Sequence, residues 1–326
     1  MLRLIGRGMF LLAASLLAAA PGNAQGLATW RHGVVEAKSD AGFVFMAQQK
    51  GFAEKQGLKL EMPQFTGDAL ELKALLAGEL DSYEGSPGSP IIAVAHGAAI
   101  KLVGCYWPGL TYGIYSKPSE QGGASLKGKS FAISAPGALP DLLARAVLQK
   151  FGLTANDVRF VVMGADTDRY RAIVAGKVDI AAASSEFAHD APSQGVKLLY
   201  HAHDVTPEYL RFCLYMTPET IAKKKDQAVR FLAAQMAAMR YALDHPQETV
   251  AVARAMAHIP DADQRPNYIY EEVKKYDAID PQLSIPTDRL AWMQDLLVKT
   301  GNLNAPGDID KLVDASVREA ALKIVK

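Results

Sequence analysis

One pattern, written twice about a hundred residues apart, constrains this chain more than any other feature. Lys73 to Asp81 reads KALLAGELD, and Arg171 to Asp179 reads RAIVAGKVD. Each is an apolar helical stretch stopped by a glycine, Gly78 or Gly176, and followed by the start of a strand that carries an aspartate. The likeness extends backwards, since Lys55-Gln56-Gly57-Leu58 matches Lys150-Phe151-Gly152-Leu153 and each precedes a strand, LKLEM or VRFVVM. Further back, RHGVVEA runs into Lys38-Ser39-Asp40-Ala41-Gly42, while SFAIS runs into Ala135-Pro136-Gly137-Ala138. Both halves read strand, loop, helix, strand, helix, strand, loop, the order of a mostly parallel α/β sheet.

Two similar lobes are therefore expected. Ligands of such sheets sit beyond the carboxyl ends of the strands, near helix N-termini. Four loops occupy that position: Lys38 to Phe43, Gly85 to Pro90, Ser134 to Leu139 and Ser184 to Phe187. The apolar, aromatic-rich segments TYGIYS (Thr111 to Ser116) and RFCLYMT (Arg211 to Thr217) read as strands that bracket the second repeat, each ending near a proline, Pro118 or Pro218, and the stretches 111 to 118 and 211 to 218 are expected to be the hinge crossings. Residues 222 to 258 are helical by period, with Pro246 opening a new helix, and two more helices are expected around Thr287 to Lys299 and Ile309 to Ile324. This C-terminal third is expected to pack on the first lobe. The division that follows is residues 1–24 as a signal peptide, 25–115 with 219–326 as lobe I, and 116–218 as lobe II.

The first residues read as a segment that the cell removes. Arg3 and Arg7 give a positive start, and Met9 to Ala20 is a run of about 12 apolar residues, too short to cross a bilayer. Cleavage is expected after Ala24, or alternatively after Ala20. The first cysteine is Cys105, so no residue near that site is available for lipid attachment, and a free periplasmic protein is expected. Lysine and arginine together number 35, as do aspartate and glutamate, and neither sign gathers into a block. Nucleic acid is not an expected partner. Cys105 and Cys213 would enter an oxidising compartment and could form one disulfide. Both lie in apolar strand-like runs, and two buried thiols are the favoured expectation.

The segments SDAGFVFMAQQKGFAEKQGL, LLAGELDSYEGSPGSPIIAVAHGAAIKLVG, SLKGKSFAISAPGALPDLLARAVLQKFGL and VAGKVDIAAASSEFA together resemble the nitrate/sulfonate/taurine and thiamine-pyrimidine-precursor group of solute-binding proteins. The resemblance covers roughly residues 30 to 220. It implies a type II periplasmic-binding-protein fold: two lobes, each a mixed, mostly parallel sheet flanked by helices, with extra C-terminal helices. It also implies a clamp that closes on a small solute and delivers it to an inner-membrane ABC permease driven by a cytoplasmic ATPase; a monomer without cofactor or metal is expected. Carried over residue by residue, the ligand positions are Ser39, Asp40 and Phe43; Ser86 and Ser89; Ser134, Gly137 and Ala138; and Ser184, Ser185 and Glu186. Independently, Ser134 and Gly137 precede a helix start near Leu139, where free N–H groups favour an oxygen. Ordinary turn and capping chemistry is the plain alternative for these serines and glycines.

The expected solute is a small polar organic compound, a sulfonate, an aromatic or heteroaromatic carboxylate or a pyrimidine-like compound; Asp40, Glu84 and Glu186 fall in or beside these loops and no arginine does, so a zwitterion, an amine-bearing heteroaromatic ring or a protonated partner fits better than a bare nitrate or sulfonate. Tyr106 and Trp107 either stack on such a ring or serve as core or hinge aromatics. Gly123 to Ser130 matches the P-loop pattern, but its Lys-Ser pair opens a strand instead of a helix, so it is accidental. His201, His203 and Asp204 offer metal-ligand atoms without a distant third ligand. No GxSxG, HExxH or Cys-His signature supports a hydrolase. Two alternatives share the fold: a pyrimidine-precursor-synthesising enzyme that consumes a histidine and uses iron, which is not exported, and a ligand sensor for a membrane receptor.

Overall fold

The computed structural model describes residues 26–325, so the expected signal segment and its cleavage site lie outside the described residues. Among the described residues, eleven strands form two sheets. The first holds β1 (Ala28–Val35), β2 (Leu58–Glu61), β3 (Gln64–Phe65), β4 (Ser82–Gly85) and β5 (Lys101–Trp107), and its order is β2-β1-β4-β11-β5 with β3 beside β1. The second runs β10-β6-β9-β7-β8, with β6 at Tyr112–Ser116, β7 at Ser130–Ile133, β8 at Arg159–Val162, β9 at Ile180–Ser184 and β10 at Lys197–His201. The returning strand β11 (Phe212–Met216) belongs to the first sheet. Short helices α1 (Ala41–Val44), α2 (Met46–Gln49) and α3 (Phe52–Lys55) follow β1. Then come α4 (Asp68–Leu76), α5 (Gly88–Ala95), α6 (Leu139–Lys150), α7 (Asp166–Val174) and α8 (Ala202–Val205). The C-terminal part adds α9 (Pro218–Lys223), α10 (Lys225–Asp244), α11 (Pro246–Ala257), α12 (Arg265–Lys275), α13 (Thr287–Lys299) and α14 (Ser316–Ile324).

The repeat is structural in a specific way. Gly78 and Gly176 take positive φ, 76° and 69°, where a side chain would be strained. Beyond them Glu79 N and Lys177 N bond back to Ala74 O and Ala172 O at 3.0 and 2.8 Å, closing the same C-terminal motif in both lobes. The repeated aspartates then tie strands together: Asp81 Oδ2 accepts from Arg31 N on β1, and Asp179 Oδ2 accepts from Ser130 N on β7, each at 2.8 Å. Each lobe thus locks its first parallel strand to its third by one carboxylate.

Both segments expected as strands at the hinge are strands, but each lies within a sheet and not between the lobes. Residues 112–116 form β6, hydrogen-bonded between β10 and β9, and 212–216 form β11, between β4 and β5. Every residue of both strands is buried, which accounts for their apolar, aromatic composition. The chain changes lobes just before each of them, at 108–111 and at 202–211, so residues 112–115 join the second sheet and 212–216 the first. Cys105 and Cys213 are not separate thiols. They face each other across antiparallel β5 and β11 and form a disulfide, with Cα atoms 3.8 Å apart. The burial that favoured free thiols is shared burial on one face of adjacent strands.

One apolar core lies between the first sheet and α10, α11 and α14, centred on Trp30, Phe43, Trp107, Phe231 and Leu232. A second runs continuously under both sheets, joining Leu102 and Tyr215 of one to Ile114, Phe131 and Ile180 of the other. Leu290, Met293, Leu296 and Leu297 of α13 belong to this second core, so the C-terminal third does not pack on the first lobe alone. Residues 309–324 are likewise not one helix: a single turn at Ile309–Lys311 gives way to backbone pairing with Leu102 before α14 begins.

Candidate functional site

A cavity of about 210 Å³ lies between the lobes at the carboxyl ends of the parallel strands. The first lobe supplies the ends of β1, β3 and β4, with Lys38, Asp68 and Ser86. The second supplies Tyr112, the β7–α6 turn with Ser134 and Ala138, the β8–α7 turn with Asp166 and Arg169, and Glu186 after β9. Arg211 and Phe212 enter from the second crossing. Helices α4, α6 and α7 all begin at this cavity, so their free N–H groups give it a positive bias.

Charges within the cavity are distributed by pairing. Lys38 Nζ lies 2.5 Å from Asp166 Oδ2, which also accepts from the Tyr112 hydroxyl at 2.8 Å, while the Arg169 guanidinium holds the other oxygen. Burial by itself would raise the Asp166 pKa, but Lys38 and Arg169 outweigh it and hold the carboxyl well below its ordinary range. Burial likewise opposes the charge on Lys38, and Asp166 outweighs it and raises the ammonium pKa. Arg211 is fully buried, bonds Asp40 and Thr111, and stacks with its guanidinium carbon 4.1 Å above Trp107 and 4.6 Å from Phe212. Its Nε has no partner among the described residues. Asp68 is the opposite case. Part of the residue stays exposed, yet its carboxyl is enclosed, and burial pushes its pKa up to about 6. Glu186 is buried, which raises its pKa; Ser39 N donates to it at 3.3 Å, and Arg265 stands 3.8 Å away.

Of the residues expected at the ligand, Ser86, Ser134, Ala138 and Glu186 line the cavity. The others stand behind it or beside it. Asp40 is spent on Arg211, and Ser39 reaches the site through its N–H bond to Glu186. Phe43 is buried against Trp107 and Tyr270, so it is a core residue. Trp107 is fully buried as well, and acts on the site only by carrying Arg211 on its face. Gly137 takes φ 76° and donates its N–H to Asp141 at 2.8 Å, and its carbonyl lies where a side chain on Gly88 of the other lobe would reach. It belongs to an interlobe contact, as does Ser185, whose Oγ bonds Glu272 of α12 at 2.6 Å. Ser184 caps the following turn, accepting from Glu186 N, and Ser89 lies off the cavity lining.

The expected absence of arginine from the cleft is overturned by Arg169 and Arg211, and Lys38 adds a third cation to the lining. Glu84 in turn is buried under the sheet, bonded by the Tyr106 hydroxyl. Two loops were missed, Phe65 to Asp68 and Gly164 to Thr167, one in each lobe. The repeat contained the signal, because Asp68 and Asp166 stand at the same place in it, five residues before Lys73 and Arg171. His201 accounts for itself otherwise: its Nε2 pairs with Glu272 at 2.8 Å and its Nδ1 accepts from His203 N. The P-loop look-alike forms a short 3₁₀ turn, Gly123–Leu126, ahead of β7.

Two α/β lobes joined by two crossings, with a charged cavity at the strand ends between them, define the type II periplasmic-binding-protein fold. The chain belongs to the NMT1/THI5-like family, which it matches over residues 38–249. It is similar in fold to the periplasmic nitrate-binding protein NrtA of Synechocystis, at a TM-score of 0.76 and 16% identity over 91% of this chain and 89% of that one. The periplasmic aliphatic sulphonate-binding protein SsuA of Escherichia coli superposes at a TM-score of 0.71 and 20% identity, over 87% of this chain and 91% of that one. The ligand-binding component of an ABC-type import system from Staphylococcus aureus gives 0.72 and 16%, over 90% and 99%. In sequence, a Brucella abortus protein provisionally named a binding protein is 32% identical over 122 residues. That match spans 37% of this chain and 37% of the relative. Among the described residues, no helix is long and apolar enough to cross a membrane.

Proposed function

We propose that this protein is the exported solute-binding component of an ABC importer, a carrier and not a catalyst, which captures a small organic solute between its lobes. The observation that supports this most directly is the cavity itself, enclosed by side chains of both lobes and by Arg211 of the second crossing. A solute there touches both lobes at once, so its binding energy is available to hold them together. The structural likeness to nitrate- and sulphonate-binding proteins supports the same reading.

The chemistry of the lining favours a solute with both an oxygen-rich end and a basic nitrogen. Arg211 Nε and the start of α6 beside Ser134 offer donors to the first. Asp68 and Glu186, whose carboxyls gain least from neighbouring cations, offer acceptors to the second. Phe65, Phe212, Leu139 and Pro140 supply apolar wall between them. The protein released into the periplasm after signal cleavage acts as a monomer and passes its solute to a permease with a cytoplasmic ATPase.

A thermal-shift screen of purified protein tests this, using amino acids, pyrimidines, aromatic carboxylates and sulfonates. A cognate solute in about hundredfold excess over its Kd stabilises the fold by roughly 2.7 kcal/mol and raises Tm. Solution scattering should show contraction with the same compound. No stabilising compound in any class, together with consumption of one by turnover, would replace the carrier by an enzyme of the same fold.

A further inference from the structure

The repeat places one aspartate at the first position of a cavity-facing helix in each lobe, Asp68 on α4 and Asp166 on α7, and their surroundings differ completely. Around Asp166 converge Lys38 of the first lobe, Tyr112 and Arg169 of the second, and the N-terminal turn of a nine-residue helix. An ammonium, a guanidinium, a hydroxyl and a helix start are the donor set by which a free oxyanion is ordinarily held. Here the anion is part of the chain. It also bridges the lobes, the task that a charged ligand would otherwise perform.

The remaining cation of the lining offers no substitute, because Arg211 is neutralised by buried Asp40. Each cationic side chain of the lining is therefore already paired with a carboxylate, Lys38 and Arg169 sharing Asp166 and Arg211 holding Asp40, while Asp68 and Glu186 add negative charge to the same walls. A free oxyanion entering this cavity would find its counter-charges occupied and would meet repulsion.

We infer that Asp166 is a specificity-determining residue, a tethered anion standing in the oxyanion site, which makes the cavity reject sulfate, nitrate and simple sulfonates and leaves room for solutes of no net charge. This rests on the carrier reading and refines its solute class. Removing the carboxylate should uncover the site. Titration calorimetry with sodium sulfate and with methanesulfonate, in chloride-free buffer of low ionic strength, compares the wild type with Asp166→Ser and Asp166→Asn. The wild type should show no binding, and at least one variant should gain affinity by roughly tenfold to a hundredfold, the equivalent of one or two charge-assisted hydrogen bonds. Adding Lys38→Met to the responsive variant should abolish the gain.

Sulfate binding by the wild type as tight as by the variants overturns the inference, and so does a folded variant that gains nothing. A variant that folds only when sulfate is present supports it; one that stays unfolded in sulfate, in both substitutions, counts against it. The two readings fail separately: a wild type that binds a neutral solute alongside silent variants refutes the role of Asp166 alone. A sulfate gain in the variants with no solute for the wild type refutes the carrier instead.

Discussion

Replacing Arg211 by Met isolates the most heavily buried charge at the cavity. The side chain is 1% exposed, bonded to Asp40 and Thr111 and stacked against Trp107 and Phe212. Methionine keeps much of the stem volume and removes the guanidinium. Asp40, itself 5% exposed, then holds a carboxylate that has lost its bonded counter-charge, since nearby Lys38 is bonded to Asp166, a situation that costs about 3–5 kcal/mol. Adding Asp40→Asn removes the stranded charge and should recover most of that loss, since exchanging both partners of a buried pair is often close to neutral. Urea denaturation of the two single variants and the double variant at pH 7.5 closes the cycle, with an expected coupling of about 2–3 kcal/mol. Solute affinity should fall in Arg211→Met and stay low in the double variant, because the donor is not restored. A loss below about 1 kcal/mol in Arg211→Met would show that Asp40 is not stranded, and the electrostatic account would fail.

Three further outcomes are expected. Asp68 has a native pKa near 6 against an ordinary 3.8, so the native state holds its proton more tightly than the unfolded chain and loses stability as pH rises from about 4 to 6. Asp68→Asn should therefore stabilise the protein by about 1–2 kcal/mol at pH 7.5, allowing for the partial exposure of the residue, and by almost nothing at pH 4. Equal effects at both pH values would refute it. The Cys105–Cys213 bond spans a sequence separation of 108 residues that includes the whole second sheet. Cys105→Ala with Cys213→Ala should cost about 2–4 kcal/mol in denaturation, and dithiothreitol should reproduce that loss in the wild type alone. Glu186→Gln should weaken solute binding by about 1.5–3 kcal/mol in calorimetry. Because Glu186 is buried with a raised pKa, the same change should not lower stability at neutral pH, and a loss there would assign the residue to the interlobe seam.

What the sequence determined by itself was everything governed by neighbours along the chain. Glycine C-caps at Gly78 and Gly176, the helix starts near Leu139 and Pro246, the match of α13 to Thr287–Lys299 and the doubled strand–helix order all follow from residues within about four positions of one another. From that order alone came two lobes and a site at the strand ends. Tertiary structure decided what depends on distant segments meeting. Lys38 and Asp166 are 128 residues apart, Asp40 and Arg211 are 171 apart, and the cysteines lie on strands whose adjacency no local pattern records. Trp107 illustrates the division: its position at a strand end was legible, but whether its face met solute or Arg211 depended on which segment returned beside it. The repeat had already placed Asp68 and Asp166 at equivalent positions, and only the fold gave two cations to one and none to the other. A charge takes its meaning from what packs around it, and that packing is assembled across the whole length of the chain.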